Sequence, residues 1–243
     1  MAADGRRHVL AIGGFAPQPA QHQQLAPLIG HALSLSGAAA PRVCVLSTAA
    51  GDDPAAYLRM YARLARRGAI ASHLQLFPMP NVADPAGLLL GQDVIFVGGG
   101  SVANMVAVWH VHGLAAVMRE AYESGIVLAG VSAGAICWFQ GGTTDSFGPE
   151  LRPFTSGLGL LPGSYCPHYS GEPARRPVFH ALVAAGVLPP GIACDDGGAA
   201  HFADGELAGI IAERPDATGY RVRPDGAGGC AEEALPVGLV LPA

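Results

Sequence analysis

Ile126-Val-Leu-Ala-Gly-Val-Ser-Ala-Gly-Ala-Ile136 decides the fold. Residues 126–130 are a short apolar run with the character of a buried strand, and Ala135 opens a helix-forming run that ends near Phe139. Between them lies Gly130-Val-Ser132-Ala-Gly134. Glycines on both sides let the backbone pass from strand to helix in one sharp bend without a Cβ clash. The bend exposes the Ser132 side chain at a helix N-terminus. Such a serine serves either as a nucleophile or as an N-cap that accepts from the first helical amides, and the pentapeptide alone does not choose between them.

Working outward, the preceding segments alternate between strand and helix. Strands are expected at His8–Ile12, Val43–Ser47, Ser72–Phe77 and Asp93–Val97. Between them the spacing predicts helices over Gln21–Leu35, from Asp53-Pro54 to Gly68, after Asp84-Pro85, and as one long helix over Val102–Tyr122. The fold class is α/β: a mostly parallel sheet with helices on both faces. Ligands in such sheets sit beyond the carboxyl ends of the strands. Gly98-Gly99-Gly100 and Ser132 fall at two such ends, on successive strands. Downstream, residues 141–175 are rich in Gly, Pro, Ser and Thr, and a loop region of that length is usually functional. A helix over Pro177–Ala185 follows. Short strands at Ile192–Cys194, Ala208–Ala212, Tyr220–Val222 and Val237–Leu241 then read as an antiparallel edge or small second sheet within one domain, residues 1–243.

Composition narrows the class. The chain has 243 residues, half of them hydrophobic and 14% charged, enough for a sizeable core. A net charge of −5 gives no electrostatic footprint for nucleic acid. Five scattered cysteines form no CxxC pair, which argues against a disulfide framework and a thiolate metal site and for a reducing, cytoplasmic compartment. No apolar run approaches the ~18–20 residues of a membrane span. No metal-ligand spacing is present, so neither metal nor cofactor is expected.

A serine hydroxyl needs a base, and the base works best when a third group fixes it. His168, in Ser164-Tyr-Cys-Pro-His-Tyr169, lies in the loop-rich region behind a stiffening proline and is the first choice; His201 is the second. For the orienting carboxylate, Asp145 on the loop after the bend is preferred, with Glu150 as the fallback. Gly98–Gly100 lacks the GxGxxG spacing of a dinucleotide site. Its backbone amides, Gly99 among them, are placed to receive an oxyanion together with the Ala133 amide. Cys137, one turn into the helix, reads as core.

A strand ending in Gly-Gly-Gly, a long helix, a strand ending in Gly-Val-Ser-Ala-Gly-Ala, and Pro167-His168 downstream together resemble the peptidase E family. The resemblance runs from the first strand to about residue 212. It implies a serine peptidase on a class I glutamine-amidotransferase-like (flavodoxin-like) fold. The implied activity removes an N-terminal aspartate from small peptides through a Ser-His-Asp triad of Ser132, His168 and Asp145. The family's asparagine after the triple glycine is Ser101 here. The family's carboxylate-binding arginine after Gly-Glu corresponds to Arg175 or Arg176 in Gly171-Glu-Pro-Ala-Arg-Arg176, where one extra residue leaves the two open. The implied partner is a small acidic peptide, with homodimerisation open. The alternatives are a hydrolase of another acidic amide, isoaspartyl or cyanophycin-like, and a non-catalytic small-molecule binder on the same fold.

Overall fold

The computed structural model describes residues 2, 4–15 and 26–240. Five parallel strands form its centre: β1 (His8–Ile12), β2 (Arg42–Leu46), β3 (Ile70–Leu74), β4 (Val94–Val97) and β5 (Val127–Val131), side by side in the order β1-β5-β4-β2-β3. Every residue of β1 and β5 is buried. Along β1, Val9 and Ala11 pack into one apolar layer and Leu10 and Ile12 into the other. Alternate side chains of a strand point to opposite faces. A strand covered on both faces must therefore be apolar throughout, which is why these strands show no polar alternation.

The crossovers are α1 (Pro27–Leu35), α2 (Pro54–Ala65), α3 (Pro85–Leu90), α4 (Val102–Val111) and α5 (Leu114–Glu123). α2 and α3 start as their sequences dictate: Asp53 and Asp84 accept from the amides of Ala55 and Gly87, with Pro at the first helical position. Residues 21–25 of the first expected helix lie outside the described residues. The single helix expected over Val102–Tyr122 is two. Gly113 adopts φ +71° between α4 and α5, so the apolar stripe does not continue across it, and Val111 is 84% exposed while Leu114, Met118 and Tyr122 are buried.

After β5 comes one short turn of helix, α6 (Ala133–Ile136), and then the loop-rich region, which is more ordered than expected. It contributes β6 (Gly141–Thr144), β7 (Arg152–Phe154) and β8 (Ser164–Cys166). With β9 (Gly191–Cys194), β12 (Gly219–Pro224) and β13 (Cys230–Ala234) these build a second, mixed sheet of six strands in the order β13-β12-β9-β8-β6-β7. α7 (Arg175–Ala184) packs on it through Phe179 and Val183. β10 (Gly198–Ala203) returns to the first sheet antiparallel to β1. β11 (Glu206–Ala212) and β14 (Val237–Leu239) extend that edge. The antiparallel C-terminal part expected from sequence is thus divided between two sheets. No helix among the described residues is long and apolar enough to cross a membrane.

Candidate active site

Ser132 sits at the bend between β5 and α6 with φ 54° and ψ −115°, a backbone region that non-glycine residues rarely adopt. Its amide is spent on Ile12 O at 3.0 Å, which ties the bend to the end of β1. The bend is tight because the start of α6 lies directly on the end of β4. A Cβ on Gly134 would stand 2.3 Å from Val97 O and 2.8 Å from Gly98 O. Gly99 is pressed against the serine in the same way, its Cβ position 3.3 Å from Ser132 Cβ. Gly99, after β4, and Ala133, the first residue of α6, thus both lie beside Ser132. Ser101 caps α4, accepting from Asn104 N at 3.2 Å. Cys137 is buried, its thiol donates to Gly134 O, and burial pushes its pKa well up, so it is a core residue.

His168 meets Ser132 from the second sheet. Its Nε2 lies 2.9 Å from Ser132 Oγ, and its Nδ1 lies 2.6 Å from Asp196 Oδ1. A neutral ring with its proton on Nδ1 donates to Asp196 and accepts from the serine hydroxyl. The histidine and the carboxylate are about a quarter exposed, 23% and 28% of their side chains, so the group is open to a substrate. His168 also has a left-handed backbone, φ 52°.

The orienting carboxylate is a correction to the sequence reading. Asp145 is exposed on the β6–β7 turn, as is the fallback Glu150, and neither meets the imidazole. Asp196, just past β9, takes the place next to Nδ1. The physical reason is sheet order. β9 pairs with β8, which carries the chain to His168, whereas the turn after β6 leads toward α4, where Ser146 Oγ approaches Ala103 N. A signal was present in the sequence: Asp195-Asp196-Gly-Gly follows a short apolar strand, the pattern of a functional strand end. The two aspartates divide the work. Asp195 is buried and accepts from Ser170 N and Thr218 N, both at 3.0 Å, while Asp196 faces His168. His201 lies elsewhere, its Nε2 3.0 Å from His8 Nδ1.

The two arginines have different fates. Arg175 is 3% exposed and committed to Glu172 Oε2 at 2.7 Å and Thr143 O at 2.9 Å. Arg176 keeps 43% of its side chain exposed, over the rings of Tyr169 and Tyr220. Among the described residues no group of three or more His, Cys, Asp or Glu is placed to hold a metal ion.

This geometry has relatives. Over 218 residues the chain is 42% identical to "Uncharacterized peptidase YgaJ" of Bacillus subtilis, covering 89% of this chain and 92% of that one. It is 30% identical to Peptidase E of Shewanella denitrificans over 115 residues, about half of each chain. The crystal structure of a peptidase from an acI-B1 Actinobacterium superposes with a TM-score of 0.65 at 18% identity, covering 96% of this chain and 95% of the other, and so shares the fold. A sequence model described as peptidase family S51 matches residues 10–210, the stretch that carries Ser132, His168 and Asp196 alike. By that match the chain belongs to peptidase family S51 and is a serine-type peptidase.

Proposed function

We propose that Ser132, His168 and Asp196 are the catalytic triad, and that the substrates are small peptides with an acidic N-terminal residue. The observation that carries the triad is the unbroken chain of hydrogen bonds from Ser132 Oγ through both ring nitrogens of His168 to Asp196. In this reading Ser132 Oγ attacks the scissile carbonyl while its proton passes to His168 Nε2. Asp196 fixes the ring and stabilises the imidazolium. The negative oxygen is received by the Gly99 and Ala133 amides, each such donor typically worth ~10²–10³ in rate. His168 returns the proton to the leaving amine. Water then hydrolyses the acyl-enzyme by the same route.

The acidic preference is what the peptidase E resemblance implies, and it is supported by Arg176, whose side chain stays 43% exposed beside Glu232 while the Arg175 guanidinium is buried and committed. A planar guanidinium suits bidentate contact with a carboxylate. The test is hydrolysis of Asp-X, isoaspartyl-X and Ala-X peptides by wild type and Ser132→Ala. Wild type should favour Asp-X, and the serine variant should lose at least about 10³-fold. Equal rates in the two proteins would remove the triad. No preference for Asp-X would remove the substrate class and leave the triad standing.

A further inference from the structure

The last hairpin, β12–β13, lies beyond the span of the family match, residues 10–210, yet it reaches back to the residue beside His168. Tyr169 is 1% exposed, and its hydroxyl donates to Glu232 on β13 while His180 Nε2 lies 2.9 Å away. His180 Nε2 is itself 3.0 Å from the same Glu232 oxygen. The other Glu232 oxygen lies 3.6 Å from Arg176, whose guanidinium covers the Tyr169 ring and approaches Ser170 Oγ at 3.4 Å. One carboxylate thus reaches three groups around the loop that carries His168. We infer that Glu232 is a positioning residue for His168, acting through Tyr169 and Arg176.

The backbone supplies the reason for such a clamp. His168 is held at φ 52°, and a non-glycine residue stays there only when its surroundings over-determine it. On the near side the loop is fixed by Glu172 N to His168 O at 3.0 Å and by Tyr169 N to Cys194 O at 3.2 Å. Those bonds hold the main chain, and Phe179 and Tyr220 flank the tyrosine ring, so the freedom left to this side chain is at its phenol hydroxyl. Glu232 removes that freedom, and burial together with the Glu232 hydrogen bond and charge keeps the Tyr169 phenol protonated as its donor. A shift of ~1 Å in a reacting group costs as much as 10²-fold in rate. The neighbouring Glu233 points to the other face of the strand, toward Arg221 at 3.9 Å, and serves as the control.

This inference rests on the triad reading, and its test separates the two. A fluorophosphonate probe has no acidic group, so its rate of attachment to Ser132 reports the serine–histidine pair and not Arg176. Glu232→Ala should slow labelling by the neutral probe and lower kcat per titrated site roughly tenfold or more. Glu232→Gln keeps an acceptor for the Tyr169 hydroxyl and should recover most of the rate. Tyr169→Phe should resemble Glu232→Ala, and Glu233→Ala should match wild type. A purely structural role would lower the melting temperature and the titrated fraction but leave kcat per site unchanged, and that result would overturn the proposal. Wild type labelling no faster than Ser132→Ala would instead overturn the triad.

Discussion

Gly14 has no room for a side chain, and the reason lies in two members of the proposed triad. A Cβ there would stand 1.8 Å from Asp196 Oδ1 and 2.7 Å from His168 Nδ1. Gly14 O also accepts from Gly197 N at 2.8 Å, so the glycine cannot move aside without loosening the turn that presents Asp196. Gly14→Ala is therefore expected to disable the site as thoroughly as losing the carboxylate, with labelling of Ser132 by a fluorophosphonate as the measure. The carboxylate has its own test. Asp196→Asn leaves the shape but reverses the preferred tautomer of His168, and loss of the corresponding carboxylate in a serine triad costs about 10⁴-fold. Asp145→Asn, on an exposed turn away from the imidazole, should stay within a few-fold of wild type. The opposite ranking in kcat/KM would restore Asp145 as the orienting group.

At the scale of elements, the bend at Ser132 and the glycine run after β4 were legible because each is encoded within a few neighbouring residues. A buried strand, a small residue and a helix start must be adjacent in sequence to make a nucleophile turn, and Gly130–Gly134 supplies all three. Strand-to-strand placement has no such local encoding. His168 and Asp196 meet because β8 and β9 pair in parallel with α7 crossing between them, and nothing within 141–196 specifies that pairing. Asp145 looked suitable because it was close in sequence to Ser132, which is a poor guide to closeness in space. The break between α4 and α5 is hidden in the sequence for another reason: a lone glycine inside a helical pattern is compatible with continuation, at a cost of ~1 kcal/mol. Here Gly113 takes the left-handed conformation, with nothing within 4 Å of its Cβ position. Gly113→Ala thus meets backbone strain and no steric clash. Thermal or urea unfolding should show a loss of about 1–2 kcal/mol, with kcat and KM unchanged.

At the scale of the whole molecule, the site stands where the two sheets meet, and its stability depends on the first strand joining β5 to β10. That junction holds a cluster of histidines. His201 on β10 approaches His8 on β1, whose Nε2 lies 3.0 Å from Asp4 Oδ1, and the His31 ring of α1 stands edge-on to His201 at 5.6 Å. Burial, then the neighbouring His8, His31 and Arg6, hold His201 down to about 4; Asp4 opposes them. Burial also lowers His31. In the unfolded chain a histidine titrates near 6.5. Between about pH 6.5 and 4 the unfolded state therefore binds more protons than the native state at His201. Stability rises with pH wherever that is so, and it falls as the solution is acidified through this window. Carboxylates act lower on the scale. Asp204, held at about 2 by the Arg7 amide and the Arg6 side chain, withdraws its contribution only below its ordinary value of 3.8. The two effects therefore separate along the pH axis. Urea midpoints should drop between pH 7 and pH 4.5, and His201→Gln, which has no proton to gain, should flatten that drop while leaving the loss below pH 4 in place. An equally steep drop in the variant would show that the histidine cluster is not what makes the first strand's junction acid-sensitive.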